Sequence, residues 1–220
     1  MFARIARRYD FLNRVLSVGI DRRWRARLVA RLGSPAGLRV LDVACGTGDL
    51  AFELAQAGAE VVGLDFTHEM LVIAREKDRA ARVPFLNGDA LALPFADASF
   101  DATTIAFGLR NLADRQRGLA ELARVVRPGG RVMVLEFSLP RSPLLAGPYR
   151  FYFTRVLPRI GALVSGDGEA YRYLPDTVLA WPRPEALQRE FEAVGLRECG
   201  FELLSGGIAC LSFGTVPARR

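Results

Sequence analysis

Metal-binding and disulfide-forming side chains are scarce in this sequence, with three cysteines and one histidine among 220 residues. Cys45, Cys199 and Cys210 lack the paired spacing of a zinc site and lie in mostly apolar segments, which suits reduced thiols in a cytosolic protein rather than a disulfide framework. His68 stands at the start of an expected helix, where a surface or capping role is the plain reading. Long apolar runs are also missing. Arg7, Arg8 and Asp10 interrupt the N-terminal segment, which is not patterned as a signal peptide. Between Leu144 and Val164 the apolar stretch is broken by Pro148, Arg150, Arg155, Pro158 and Arg159, well short of the about 20 residues a spanning helix needs. A cytoplasmic protein is expected, one that at most lies on the inner face of a membrane.

Half of the residues are apolar, enough for one substantial core, so a single domain over residues 1–220 is expected. The formal net charge is +6, carried almost wholly by arginine. Arg4, Arg7, Arg8, Arg14, Arg22, Arg23, Arg25, Arg27 and Arg31 face only Asp10 and Asp21 at the start of the chain. Such an arm suits anionic lipid or nucleic acid, since both present dense negative charge, and a solvated face is the alternative.

Phe2, Ile5, Tyr9, Leu12 and Leu16 recur at helical steps, and a second helix is expected from Arg22 to Leu32, stopped by Gly33 and Pro35; together they make a helical arm over residues 1–33. The pattern then alternates. Strands are expected over 38–43, 61–65, 84–87, 100–107 and 131–137, separated by helices over 50–57, through Met70 to Ala74, and from Leu119 to Val126. Alternation of this kind predicts an α/β fold with a mostly parallel sheet and helices on both faces, because parallel neighbours need crossovers. The ligand is then expected at the carboxyl ends of the strands, where the first meets the fourth. Residues 139–182, rich in aromatics and prolines, break the rhythm and read as an inserted helical cover. A helix over 184–194 and strands over 196–203 and 208–213, joined through Gly206-Gly207, complete seven strands with the last antiparallel.

The central stretch is Val40-Leu41-Asp42-Val43-Ala44-Cys45-Gly46-Thr47-Gly48-Asp49, a buried strand feeding a tight glycine turn and a helix. Gly46-x-Gly48-x-x-Ala51 also fits a dinucleotide fingerprint. Three acids point elsewhere. Asp42 lies inside the strand, able to hold loop amides and offset a cation; Asp65 ends the second strand, where it can accept ribose hydroxyls; Asp89-Ala90 follows the third, where an adenine amino group can be held. This arrangement resembles class I methyltransferases that bind S-adenosylmethionine, whose positive sulfonium suits nearby acids and whose lack of pyrophosphate removes the need for a helix N-terminus.

Further segments are similar to one family. Tyr9-Asp10-x-x-Asn13-x-x-Leu16-Ser17, closing with Trp24, resembles the N-terminal signature of the quinone C-methyltransferases acting on demethylmenaquinone and its ubiquinone-pathway counterpart. Arg124 to Gly130 with Leu135-Glu136-Phe137-Ser138, Phe107-Gly108-Leu109-Arg110-Asn111, Tyr171-x-Tyr173-Leu174-Pro175, and Ser205 to Ala209 resemble its other blocks. The resemblance implies donor contacts from Thr47, Asp65 and Asp89-Ala90, and puts Ala106 beside the donor where many members carry serine. Asp21 stands where the family usually has histidine. On the acceptor side the resemblance places Tyr9 and Asn13, and Tyr171 and Tyr173 are candidates for lining the quinone pocket, with core packing as the alternative. Methylating a quinol ring carbon needs a phenolate held in line with the methyl, for which Arg110 supplies positive charge and Asn111 a directional hydrogen bond or a bound water. The expected substrate is a polyprenyl quinol met at an anionic membrane surface, with no nucleic acid and no metal; homo-oligomerisation is open. Methylation of a ubiquinone precursor, RNA or a soluble metabolite, and donor binding without catalysis, stand as alternatives.

Overall fold

The computed structural model describes residues 19–80, 82–142 and 177–218, together with Gly147, Tyr149, Phe151 and Arg155. The opening amphipathic helix and most of the expected cover lie outside these residues, as do Tyr9, Asn13, Tyr171 and Tyr173.

Helix α1 (Asp21–Arg31) carries an acid in its first turn and a base in its last, favourable at both ends of the helix dipole, and buries Trp24 and Leu28 one turn apart. Alternation follows: β1 (Arg39–Val43), α2 (Asp49–Gln56), β2 (Glu60–Asp65), α3 (His68–Lys77), β3 (Phe85–Asn87), β4 (Phe100–Ala106), a 3-10 turn (Leu109–Asn111), α4 (Arg115–Arg124) and β5 (Val126–Phe137). The last part comprises α5 (Pro184–Ala193), β6 (Arg197–Leu204), a second 3-10 turn (Ser205–Gly207) and β7 (Ala209–Thr215). In β1 only the first residue is exposed, the pattern of a strand covered on both faces.

The seven strands form one sheet in the order β3-β2-β1-β4-β5-β7-β6. β1 pairs in parallel with both β2 and β4, and β7 runs antiparallel to β5 and β6. From β1 the chain winds outward to β3 and then crosses back to β4, so the reversal of strand order falls between β1 and β4, where such sheets bind ligands. One face packs Leu50, Leu54 and Leu71 with Trp24 and Leu28 of α1; the other packs Leu119, Leu122, Leu187 and Phe191. The expected seven-stranded sheet with an antiparallel last strand and helices on both faces is the observed one.

Two elements begin several residues before the sequence expectation. Helix α4 begins at Arg115, because the Asp114 carboxylate accepts from the Arg117 amide and caps it. Strand β5 begins at Val126 and contains the Pro128-Gly129-Gly130 run, since Gly129 donates to the Val216 carbonyl at 2.8 Å and Val216 returns a bond to Gly130 at 2.9 Å. The sequence reads that run as a helix stop; past β7 the chain turns it into sheet.

Candidate active site

Two adjoining cavities open at the carboxyl ends of β1, β2 and β4. The larger, about 330 Å³, is lined by Asp65, Phe66, Asp89, Ala90 and Asn111 among others. A smaller one, about 60 Å³, is lined by Arg25, Asp42, Thr47 and Asp49. Ala44, Gly46, Ala106 and Phe107 border both. The larger volume lies in the range of small-molecule sites.

The walls are held by strained backbone. Ala44 after β1 and Phe107 after β4 both adopt positive φ, 51° and 57°, which a non-glycine residue keeps only when its surroundings impose it. The two turns approach closely, for a Cβ placed on Gly108, next to Phe107, would lie 2.6 Å from the Cβ of Ala44. Gly46, at φ +56°, has open space where a Cβ would be, so this turn leaves room for a ligand at the backbone. Gly48, at φ +85°, lines neither cavity and instead forms the N-cap of α2, where a Cβ would press on Phe52 and Phe85.

The acids divide their work in a way the sequence does not reveal. The Gly46 amide is held by Asp65, whose Oδ2 accepts it at 2.8 Å while Oδ1 accepts the Thr67 amide at 2.8 Å. Burial pushes the Asp65 carboxyl up despite those two bonds. Each of its oxygens keeps a second acceptor position, so ribose hydroxyls remain compatible with it. Asp42 does not hold the loop amide as expected. It pairs in register with Thr104 on β4, and its Oδ1 accepts the Thr104 hydroxyl at 2.7 Å. Its Oδ2 is buried without a hydrogen-bond partner. Burial raises the Asp42 carboxyl to about 7 against the Thr104 hydrogen bond; Asp65 pushes it further, and Arg25 and the Ala51 amide pull it back. An orphaned carboxylate oxygen on a residue that lines a small cavity fits a cationic group, and an ammonium is the natural partner.

Asp89 is tied into its turn by the Leu91 amide at 2.9 Å to Oδ1, with Ala90 buried beside it. Phe66, 77% exposed, stands at the rim of the larger cavity. Thr47 sits beside Lys77, whose ammonium reaches the Thr47 hydroxyl at 3.1 Å and Asp49 at 2.6 Å.

Arg110 and Asn111 follow β4 on the 3-10 turn, but only Asn111 lines the cleft, where its Nδ2 donates to the Phe107 carbonyl at 3.3 Å. Arg110 lies behind, its side chain 6% exposed, donating from Nη1 to the Phe107 carbonyl at 2.6 Å and to Glu136 at 2.8 Å. Its buried Nε has no hydrogen-bond partner. Phe107 stacks tilted on Phe137 at 4.6 Å, and Trp24 packs on both rings while its indole donates to the Ser205 hydroxyl at 2.8 Å. Four residues of this cluster escaped sequence reasoning as site members: Arg25, Thr104, Glu136 and Ser205. A lone acid inside an apolar strand was the available signal for Glu136, as it was for Asp42.

The model of the ubiE/COQ5 methyltransferase family matches residues 1–216. The chain belongs to this family. Among curated relatives, the demethylmenaquinone methyltransferase of Thermus thermophilus is 53% identical over 99% of this chain and 100% of its own length. The ubiquinone/menaquinone biosynthesis C-methyltransferase UbiE of Geobacter sulfurreducens is 48% identical, covering 97% of this chain and 86% of that protein. Among solved structures, a SAM dependent methyltransferase from Aquifex aeolicus superposes with a TM-score of 0.64 at 19% identity, over 87% of this chain and 89% of that one. At that identity the likeness establishes the fold alone. The family identifies the chain as a methyltransferase, and the β1/β4 cleft is where its sheet places a ligand.

Proposed function

We propose that this chain transfers the methyl group of S-adenosylmethionine to a ring carbon of a demethylated polyprenyl quinol, converting demethylmenaquinol to menaquinol. The observation that carries the reading is near-full-length similarity to a relative named for demethylmenaquinone, joined to a cleft whose residues suit this donor. Asp65, Asp89 and Ala90 border the larger cavity, and Asp42, Thr47 and the open Gly46 turn border the smaller, a division that matches an adenosine and an amino-acid end. When bound, the donor supplies an electrophilic methyl on a sulfonium.

The protein's share is to raise electron density at the acceptor carbon. The quinol hydroxyl beside that carbon gives up its proton to water held by Asn111 and on to solvent, and the resulting phenolate is stabilised by the positive charge of Arg110, fixed behind the cleft wall. Glu136 fixes Arg110 in one rotamer, so little reorganisation accompanies the appearance of charge. The Trp24, Phe107 and Phe137 rings offer a flat apolar wall for a quinol. Tyr9, Asn13, Tyr171 and Tyr173 are assigned to the acceptor side on the family resemblance.

A quinol carrying a polyprenyl tail resides in the bilayer, and the arginines before Leu32, apart from the largely buried Arg25, supply attraction to an anionic surface. No helix among the described residues is long and apolar enough to cross a membrane. A second acceptor, the ubiquinone precursor, is kept by the Geobacter relative, whose name covers both quinones. Incubation with the donor and each demethylated quinol, followed by mass detection of the products, separates them: the naphthoquinol is expected to be methylated preferentially, and preference for the benzoquinol would reassign the substrate.

A further inference from the structure

The smaller cavity contains a guanidinium that neither the sequence motifs nor the family blocks single out. Arg25 projects from α1 into it, with its side chain 13% exposed. Three carboxylates hold it: Nη1 donates to Asp21 at 2.6 Å, Nε donates to Glu53 at 2.9 Å, and Nη2 lies 3.6 Å from Asp49. The first two are hydrogen bonds and the third is too long to be one. The guanidinium is therefore fixed in orientation while Nη2, whose two N–H groups are not used in these bonds, keeps donor capacity. In the same cavity Asp42 Oδ2 is buried without a partner. A cation with spare donors and a carboxylate with a spare acceptor thus border one space of about 60 Å³, which shares Gly46 and Ala106 with the larger cavity.

We propose that Arg25 binds the α-carboxylate of the methyl donor's amino-acid end through Nη2, opposite Asp42, which takes the α-ammonium. The assignment rests on the reading of the cleft as the S-adenosylmethionine site. A zwitterionic head needs one partner of each sign, and a planar guanidinium is the side chain best shaped to hold a carboxylate. The surrounding excess of acids does not oppose this. The whole donor carries net positive charge from sulfonium and ammonium, so an acidic surround suits it, and the single arginine sets which way the head points.

The assignment also makes donor recognition depend on α1. Trp24, the preceding residue, rests on Phe107 and Phe137 at the acceptor wall, so one helix turn touches both ends of the reaction. Asp21, which replaces the family's usual histidine, is spent on positioning Arg25 from one turn back.

Calorimetric titration of the full chain with three ligands tests the proposal: S-adenosylhomocysteine, its decarboxylated analogue, and 5′-methylthioadenosine, which lacks both head groups. For the protein itself, loss of the carboxylate alone is expected to weaken binding about 10- to 100-fold, the range for a hydrogen bond to a charged group. In Arg25→Met, S-adenosylhomocysteine is expected to weaken by a similar factor, while the decarboxylated analogue and 5′-methylthioadenosine change by less than about threefold. Arg25→Lys, which keeps the charge and the ion pairs with Asp21 and Glu53 but not the fork, is expected to fall between. Equal weakening of all three ligands in Arg25→Met would assign Arg25 to holding α1 against α2 and overturn the proposal. So would tight binding of the decarboxylated analogue by the unaltered protein, a result that needs no variant to fold. If the unaltered protein binds none of the three, the donor reading itself fails, which is a distinct outcome.

Discussion

Glu136 clamps Arg110 at two points: its Oε2 accepts the guanidinium Nη1 at 2.8 Å and its Oε1 accepts the Arg110 amide at 3.2 Å. Both side chains are nearly inaccessible, at 1% and 6% exposure. The arrangement ties the turn after β4 to the end of β5, and it fixes the arginine behind the cleft lining.

Breaking that pair by Arg110→Ala leaves a buried, unpaired carboxylate, so unfolding free energy is expected to drop by about 3–5 kcal/mol in chemical denaturation. Methyl transfer is expected to fall at least about 100-fold, the loss typical of removing one donor to a developing oxyanion. The double variant Arg110→Met with Glu136→Gln removes both charges and keeps an acceptor for the Arg110-position amide. It is expected to recover most of the stability and none of the turnover; recovery of both would reduce Arg110 to a structural role.

The buried Asp42 gives a pH signature. Its carboxyl is raised to about 7 from an ordinary 3.8, so between those values the folded state binds a proton that the unfolded state has released. Stability contributed by this group therefore falls as pH rises from about 4 to 7. Affinity for an ammonium-bearing ligand runs the other way, increasing as Asp42 ionises through about pH 7. Titrating S-adenosylhomocysteine from pH 6 to 8 should show that rise and a matching proton release, and Asp42→Asn should bind weakly with a flat profile.

Two glycines of the cleft separate strain from space. Gly46→Ala meets no atom within 4 Å but forces φ +56° on a side chain, so a stability loss of about 1–2 kcal/mol is expected together with loss of ligand binding, because the methyl enters the cleft. Gly108→Ala has an ordinary φ of −110° but collides with Ala44, and about 1–3 kcal/mol is expected from overpacking. Thermal melts with and without S-adenosylhomocysteine distinguish them: Gly46→Ala should lose the ligand-induced shift out of proportion to its own destabilisation.

Anionic vesicles test the acceptor's route. Flotation with phosphatidylglycerol liposomes is expected to carry the full chain upward at low salt and to leave a version starting at Val18 in the soluble fraction. Recovery of both in the soluble fraction would assign the arginines a solvated surface.

These experiments rest on features that differ in how openly the sequence shows them. The sheet was legible because β1, β2 and β4 are short apolar runs separated by glycine turns and amphipathic helices, and Asp42, Asp65 and Asp89 stand at the strand ends where a ligand gathers. Partnership across the sheet was not. That Thr104 faces Asp42, or that Glu136 reaches Arg110, depends on the register between strands over 20 residues apart, which no local pattern carries. Arg25 was hidden in a run of arginines whose members look alike until α1 docks and buries one of them. The start of β5 was misplaced because the Pro-Gly-Gly run finds its hydrogen bonds with Val216, far along the chain.

The central claim is carbon methylation of a quinol from a sulfonium donor. The most direct test is incubation of the protein with S-adenosylmethionine labelled with carbon-13 at its methyl and reduced demethylmenaquinone in detergent, with the product read by carbon NMR. The account predicts a labelled methyl on the ring carbon, formed by the protein as isolated and lost in Arg110→Ala. A label on oxygen, or no label on the quinol while the donor still binds, would contradict it.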